Sequence, residues 1–154
     1  MAKKNRSSTG KITNRIARFN YELGDSLVVG LELTGAEAKS LRLGHGQLRG
    51  AYVTIKGDEL FLINANITGS SGIIIQDEDK TRARKLLAKR REIQALIAAK
   101  QQGKTIVPLE IITKGRYIKL RISVGKGKKR YDKRQALKAR DDARRAASMM
   151  KNLK

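Results

Sequence analysis

Residues 125–154 cannot fold by themselves, so whatever core the chain has must be built without them. The stretch opens GKGKKRYDKR and runs on basic and alanine-rich, with twelve Lys/Arg against three Asp, a net charge of +9. Asp132, with Gln135 three residues on, reads as an N-cap, and good helix formers follow. The apolar side of such a helix is mostly Ala with Leu137, Met149, Met150 and Leu153, too little burial to offset the entropy lost on ordering. The segment is therefore expected to be disordered when free and helical when laid in an anionic groove.

The 154-residue chain leaves about 110 residues, Arg15 to Val124, to bury one core. Its net charge of +21, from 35 basic and 14 acidic residues, draws it to phosphates and opposes self-association, so nucleic acid is the expected partner and a monomer the expected state. A membrane surface is the second candidate, but no apolar run approaches the roughly 18 to 20 residues that span a bilayer and the tail lacks bulky interfacial anchors, so no membrane partner is expected. MAKKNRSSTGK is basic without an apolar stretch after it, unlike a signal peptide. Zero Cys excludes a disulfide framework and fits a cytoplasmic location.

In chain order, residues 1–13 read as a mobile basic arm, because their composition cannot pack. From Asn14 to Leu33, alternating apolar residues broken at Gly24-Asp25 predict strand, turn, strand. Thr34-Gly-Ala-Glu37 is a capping box before a short helix over 35–43, closed by Gly44. Two strand-like runs around Lys56-Gly57-Asp58-Glu59 predict a hairpin. Gly69 to Gly72 is a flexible loop, and Ile73-Ile74-Ile75 reads as a short strand or an apolar clasp. Asp77-Glu78-Asp79 then precedes a predicted helix over 80–102, with Leu86, Ile93, Leu96 and Ile97 on one stripe and eight Lys/Arg outside it. Thr105–Ile112 and Tyr117–Val124 form a second strand pair, with Ile118, Leu120, Ile122 and Val124 facing one way. The expected fold is mainly β with flanking helices, a small antiparallel barrel of oligonucleotide-binding type over 14–124, followed by the basic tail.

Catalytic groups are sparse. His45 is the only imidazole, which excludes triads or zinc sites built on several His or Cys. Asp77, Glu78 and Asp79 read as a dipole-matched cap rather than a magnesium site. GKGKK lacks the spacing and the terminal Ser/Thr of a P-loop. No enzyme activity, cofactor or metal is expected. With four Tyr, two Phe and no Trp, RNA recognition should rest on shape and phosphates, Tyr131 in the tail excepted, since it can stack on a base.

Several blocks in order resemble the SmpB family, the SsrA-binding proteins of bacteria: Gly30-Leu-Glu-Leu-Thr-Gly-Ala-Glu-Ala-Lys-Ser-Leu-Arg42, Thr81-Arg-Ala-Arg-Lys-Leu-Leu87 with Arg91-Glu-Ile93, Val107-Pro-Leu109, and Gly127-Lys-Lys-Arg-Tyr-Asp-Lys-Arg134. The resemblance implies an oligonucleotide-binding-type barrel and a non-enzymatic RNA chaperone. Such a protein binds the tRNA-like domain of tmRNA, delivers it to stalled ribosomes, and lays its tail in the empty mRNA channel. It also implies tmRNA contacts at Asn14, Arg18, Glu37, Lys39, Ser40 and Arg42, and tail contacts near the decoding centre at Lys128, Lys129, Tyr131, Asp132, Lys133 and Arg134. For Glu37 the capping role stands beside the RNA contact. The chain departs from the family pattern at Phe19-Asn20, where His-Asp is usual, at Asn66 and Tyr131, where His is common, and in the loop 69–72, which lacks a Pro-Tyr.

Overall fold

The computed structural model describes residues 12–152. Ile12–Thr13 (β1) is a short strand, so the arm expected over 1–13 ends earlier than its composition suggested: Ile12 is buried and pairs opposite Ile111. The remainder of that arm, residues 1–11, lies outside the described residues. Ala17–Asn20 (α1) is a single helical turn, and Tyr21–Leu31 (β2) follows as one long strand. The turn expected at Gly24-Asp25 is a bulge inside β2. Two residues there stand against one on the neighbouring strand, and the Ser123 hydroxyl is shared between the carbonyls of Gly24 and Asp25, each at 3.1 Å. A partner strand that satisfies both carbonyls lets the chain continue where the sequence signals reversal.

Gly35–Arg42 (α2) forms where the capping box predicts it, and Gly44, at φ 84°, ends it. Gly46–Gln47 (β3) pairs with Asn66–Ile67 (β6) in a small second sheet. Tyr52–Lys56 (β4) and Glu59–Ile63 (β5) form the expected hairpin, with Gly57 at φ 65° in the turn. Of the residues expected to clasp or pair after it, Ile73 makes only an isolated bridge to Ser70 and Ile74 stays exposed, while Ile75, half-buried, packs against the core.

The helix expected over 80–102 is not one helix. Asp77–Asp79 is a single 3-10 turn, Arg84–Leu87 is a strand (β7), and only Arg90–Gln101 (α3) is helical, so Asp77 to Asp79 cap no α-helix. β7 sits inside the main sheet, with Leu60 opposite Leu86 and Leu62 opposite Arg84. Lys, Arg, Leu and Ala favour helices locally, but burying Leu86 between β2 and β5 overrides that preference.

Thr105–Ile112 (β8) and Lys119–Gly127 (β9) complete the main sheet, whose order is β1-β8-β9-β2-β7-β5-β4, antiparallel throughout. Pro108 is tolerated in a paired strand because a bulge falls between it and Glu110. β1 covers only Glu110 and Ile111 of β8, and beyond it β4 curls to within 8 Å of β8, Cα to Cα. No hydrogen-bonded ladder joins β4 to β8 among the described residues, so the sheet is curled but not closed. Inside it lie Val29, Leu41, Leu48, Leu60, Leu62, Ile67, Leu86, Ile106, Ile111, Leu120 and Ile122, with Leu96 of α3 packed on the same cluster.

β9 runs past Val124 to Gly127, so the tail begins later than residue 125. Arg130–Asn152 (α4) is one exposed helix whose start lies beside α1. It begins two residues before Asp132, so that residue stands in the first turn and not at the N-cap position. Leu153 and Lys154 lie outside the described residues.

Candidate nucleic-acid interface

The cationic face at α2 rests on a buried ion-pair network. Thr34 and Glu37 form the capping box: the Glu37 N–H donates to Thr34 Oγ1 at 3.3 Å and the Thr34 N–H to Glu37 Oε1 at 3.0 Å. Glu37 is only 2% exposed, and its two carboxylate oxygens also accept from the guanidinium groups of Arg82 and Arg84. Arg84 is 0% exposed, and the structure uses all five of its N–H groups. One reaches Glu37, and the others reach the carbonyls of Ala65 (2.8 Å), Arg82 (3.3 Å), Asp79 (2.9 Å) and Lys80 (3.1 Å). A buried guanidinium with no donor left over is a fastener. It ties α2 to β7 and to the turn at 79–80. Burial pushes the Glu37 carboxyl up, but hydrogen bonds from Arg82, the Thr34 N–H and Arg84 outweigh it and hold the group below the usual carboxylate range.

With Glu37 turned inward, Lys39 and Arg42, three residues apart on α2, face out together. Arg42 donates to the carbonyls of Thr113 (3.1 Å), Gly115 (3.2 Å) and Arg116 (3.0 Å), which fastens the bend between β8 and β9 against the helix. Ser40 is fully buried at the helix base, and its hydroxyl has no partner among the described residues. The direct RNA contact expected of Glu37 and Ser40 therefore does not fit this structure: both side chains are withdrawn from solvent, and the Glu37 oxygens are already committed to cations.

A second cationic region gathers at the root of the tail. Asn14 holds β1 and the start of α1 to the β8 bulge, through its side-chain amide to the Pro108 carbonyl (3.0 Å) and its N–H to that of Leu109 (2.7 Å). Arg18, exposed on α1, shares a hollow with Tyr21, Glu22, Lys128 and Arg121, the last paired with Glu110 at 3.1 Å. The Lys128 N–H donates to the Asn20 carbonyl at 2.9 Å, which anchors the tail where it leaves the sheet. Beyond that anchor Lys129, Tyr131 and Arg134 are exposed and Lys133 is half-buried, while the Asp132 side chain lies outside the described ones. The Tyr131 hydroxyl accepts from Gln135 Nε2 at 2.8 Å, one helical turn on.

The structure thus groups the expected residues by element, Lys39 and Arg42 on α2, and Asn14, Arg18 and Lys128 around α1. Reading Arg84 as the outer face of a helix hid Arg82 and Arg84. The signal for Arg84 was its period-two spacing from Leu86, too short a run to outweigh helix propensity. Among the described residues no group of His, Cys, Asp or Glu could hold a metal ion, and no helix is long and apolar enough to cross a membrane.

A small antiparallel β protein with two cationic faces and a basic helix extending from one of them belongs to the class that grips folded polyanions. The particular family follows from comparison with known proteins: the family model described as "SmpB protein" matches residues 11–152, and the chain belongs to the SmpB family. An SsrA-binding protein of Oenococcus oeni is 44% identical over 154 residues, covering 99% of each chain. One from Trichormus variabilis is also 44% identical, over 90% of this chain and 91% of its own. A solved structure described as "tmRNA-SmpB: a journey to the center of the bacterial ribosome" superposes with a TM-score of 0.65 at 32% identity, over 83% of this chain and 94% of that one.

Proposed function

We propose that this protein binds the tRNA-like domain of tmRNA and delivers it to ribosomes stalled without a stop codon, acting as a single chain and not as a catalyst. One observation carries the reading: the match to SsrA-binding proteins spans body and tail together, residues 11–152. The curled sheet, with β4 brought against β8, is read as a partly open barrel of oligonucleotide-binding type that stands in for the missing anticodon stem. Lys39, Arg42, Asn14 and Arg18 are assigned to the RNA, while Glu37 and Ser40 position α2 from inside.

The tail is assigned to the empty mRNA channel, with Lys128, Lys129, Tyr131, Asp132, Lys133 and Arg134 nearest the decoding centre. α4 is the conformation it adopts there. Free in the cytoplasm the segment exchanges with coil, since almost none of its surface is covered by the body. A channel already holding message excludes it, so vacancy selects the stalled ribosome. The test is affinity pull-down from cells followed by RNA sequencing. tmRNA is expected to be the enriched RNA; tmRNA at background with another RNA enriched would refute the reading.

A further inference from the structure

The bend between β8 and β9 is held more firmly than its own packing requires. Gly115 turns the chain at φ 91°, where residues with a Cβ rarely go. Lys114, Gly115, Arg116 and Tyr117 are all exposed, and only Ile118 dips into the core. Yet a single guanidinium, that of Arg42, donates to three carbonyls of this stretch at 3.0 to 3.2 Å. Three such bonds on a segment that buries almost nothing fix what the segment presents.

What it presents is a ring. Tyr117 is 68% exposed in the bend, not in the strand its sequence suggested, and the chain enters the core only at Ile118, just before β9 begins. The Arg116 guanidinium lies 5.7 Å from the Tyr117 ring centroid, within cation–π range. Lys114 beside it and Lys39 on the clamping helix, both exposed, make the surroundings cationic. A bare aromatic plane held in a positive field matches an unpaired nucleobase, which stacks on the ring while its phosphates meet the cations.

We propose that Tyr117, backed by Arg116, is a stacking plate for an unpaired base of the RNA bound at α2, and that Arg42 is the positioning residue that holds the plate. This rests on the RNA-binding reading above. The protein has no Trp, so Tyr117→Trp places a single emitter at the plate. Emission is expected to be quenched by the transcribed tRNA-like domain of tmRNA and not by a blunt, fully paired RNA duplex, and adding Arg42→Ala should weaken the quenching even at saturating RNA, where a lost phosphate contact would not. Tyr117→Ala is expected to weaken binding of the tRNA-like RNA about five- to hundredfold, the range for one stacked base, with an unchanged salt slope. Tyr117→Phe should stay within about twofold, because the ring remains. Lys39→Ala should instead weaken both RNAs and lower the salt slope. Wild-type affinity in Tyr117→Ala alongside weakened binding in Lys39→Ala would overturn the plate and leave the RNA-binding reading intact. A Tyr117→Phe loss as large as that of Tyr117→Ala would also overturn it. If the wild-type protein binds neither RNA, the reading of function falls and the plate falls with it.

Discussion

Glu37 and Arg84 exchange solvent for each other, and that exchange decides which residues α2 offers to a partner. Removing one member of a buried pair leaves the other charge desolvated, so Arg84→Met should cost about 3 to 5 kcal/mol of stability in urea unfolding. The pair also sets an acid limit. Because the folded-state pKa of Glu37 lies below its unfolded value, its stabilisation is complete above the usual carboxylate range and is lost as pH falls through the depressed folded value. The stability gap between wild type and Glu37→Gln, read from urea midpoints, should therefore shrink on acidification below about pH 4. A gap that stays constant would mean the carboxylate charge contributes nothing. The capping role of Glu37 was legible from Thr34-Gly-Ala-Glu37. Its second role was not, because Arg82 and Arg84 are more than forty residues away in sequence and meet it only through the sheet.

β7 is the element whose identity most affects the site, since it carries Arg84. As a strand it buries Leu86 (2% exposed) and leaves Leu87 open (53%); the helical stripe also turned Leu86 inward, but it left Arg84 on the outer face, where the strand buries it. Leu86→Ala is accordingly expected to cost about 2 to 5 kcal/mol and Leu87→Ala under about 1, measured as shifts in unfolding midpoint. Comparable losses at both would contradict the strand. Tight packing also surrounds β3, where a Cβ added at Gly46 would come within 2.6 Å of Leu41 Cδ2 and 2.9 Å of Ile12 Cδ1. Gly46→Ala should thus destabilise by about 1 to 3 kcal/mol through overpacking. Elements written in short-range signals were readable in advance: the α2 capping box, the β4–β5 hairpin around Gly57, and the alternation of β9 as far as Ile122, beyond which Ser123 is buried and Val124 only half-buried. The β2 bulge was not, since Gly24-Asp25 signals a turn and only Ser123, nearly a hundred residues on, makes it a continuation.

For the whole molecule, the body and the tail separate at Lys128, not at Gly125, because β9 uses Gly125 to Gly127 opposite Leu23 to Tyr21. Deleting residues 130–154 is expected to leave affinity for the tRNA-like RNA within a few fold while abolishing peptide tagging on stalled ribosomes. Persistent tagging by the truncated protein would sink the role given to the tail. RNA affinity should also fall steeply with salt, by roughly 0.7 to 0.9 log units per log unit of salt for each phosphate neutralised, because contacts are mainly cationic. Charge, the absence of Cys, the capping box and the local strand pairs are properties of neighbouring residues, and the sequence by itself determined them along with the polyanion as partner. Which strands lie side by side, and therefore which arginine goes inside and which stays out, depended on distant segments competing to bury the same leucines. Only the tertiary structure could settle that competition, because the free energy of burial belongs to the assembled sheet and to no single stretch of chain.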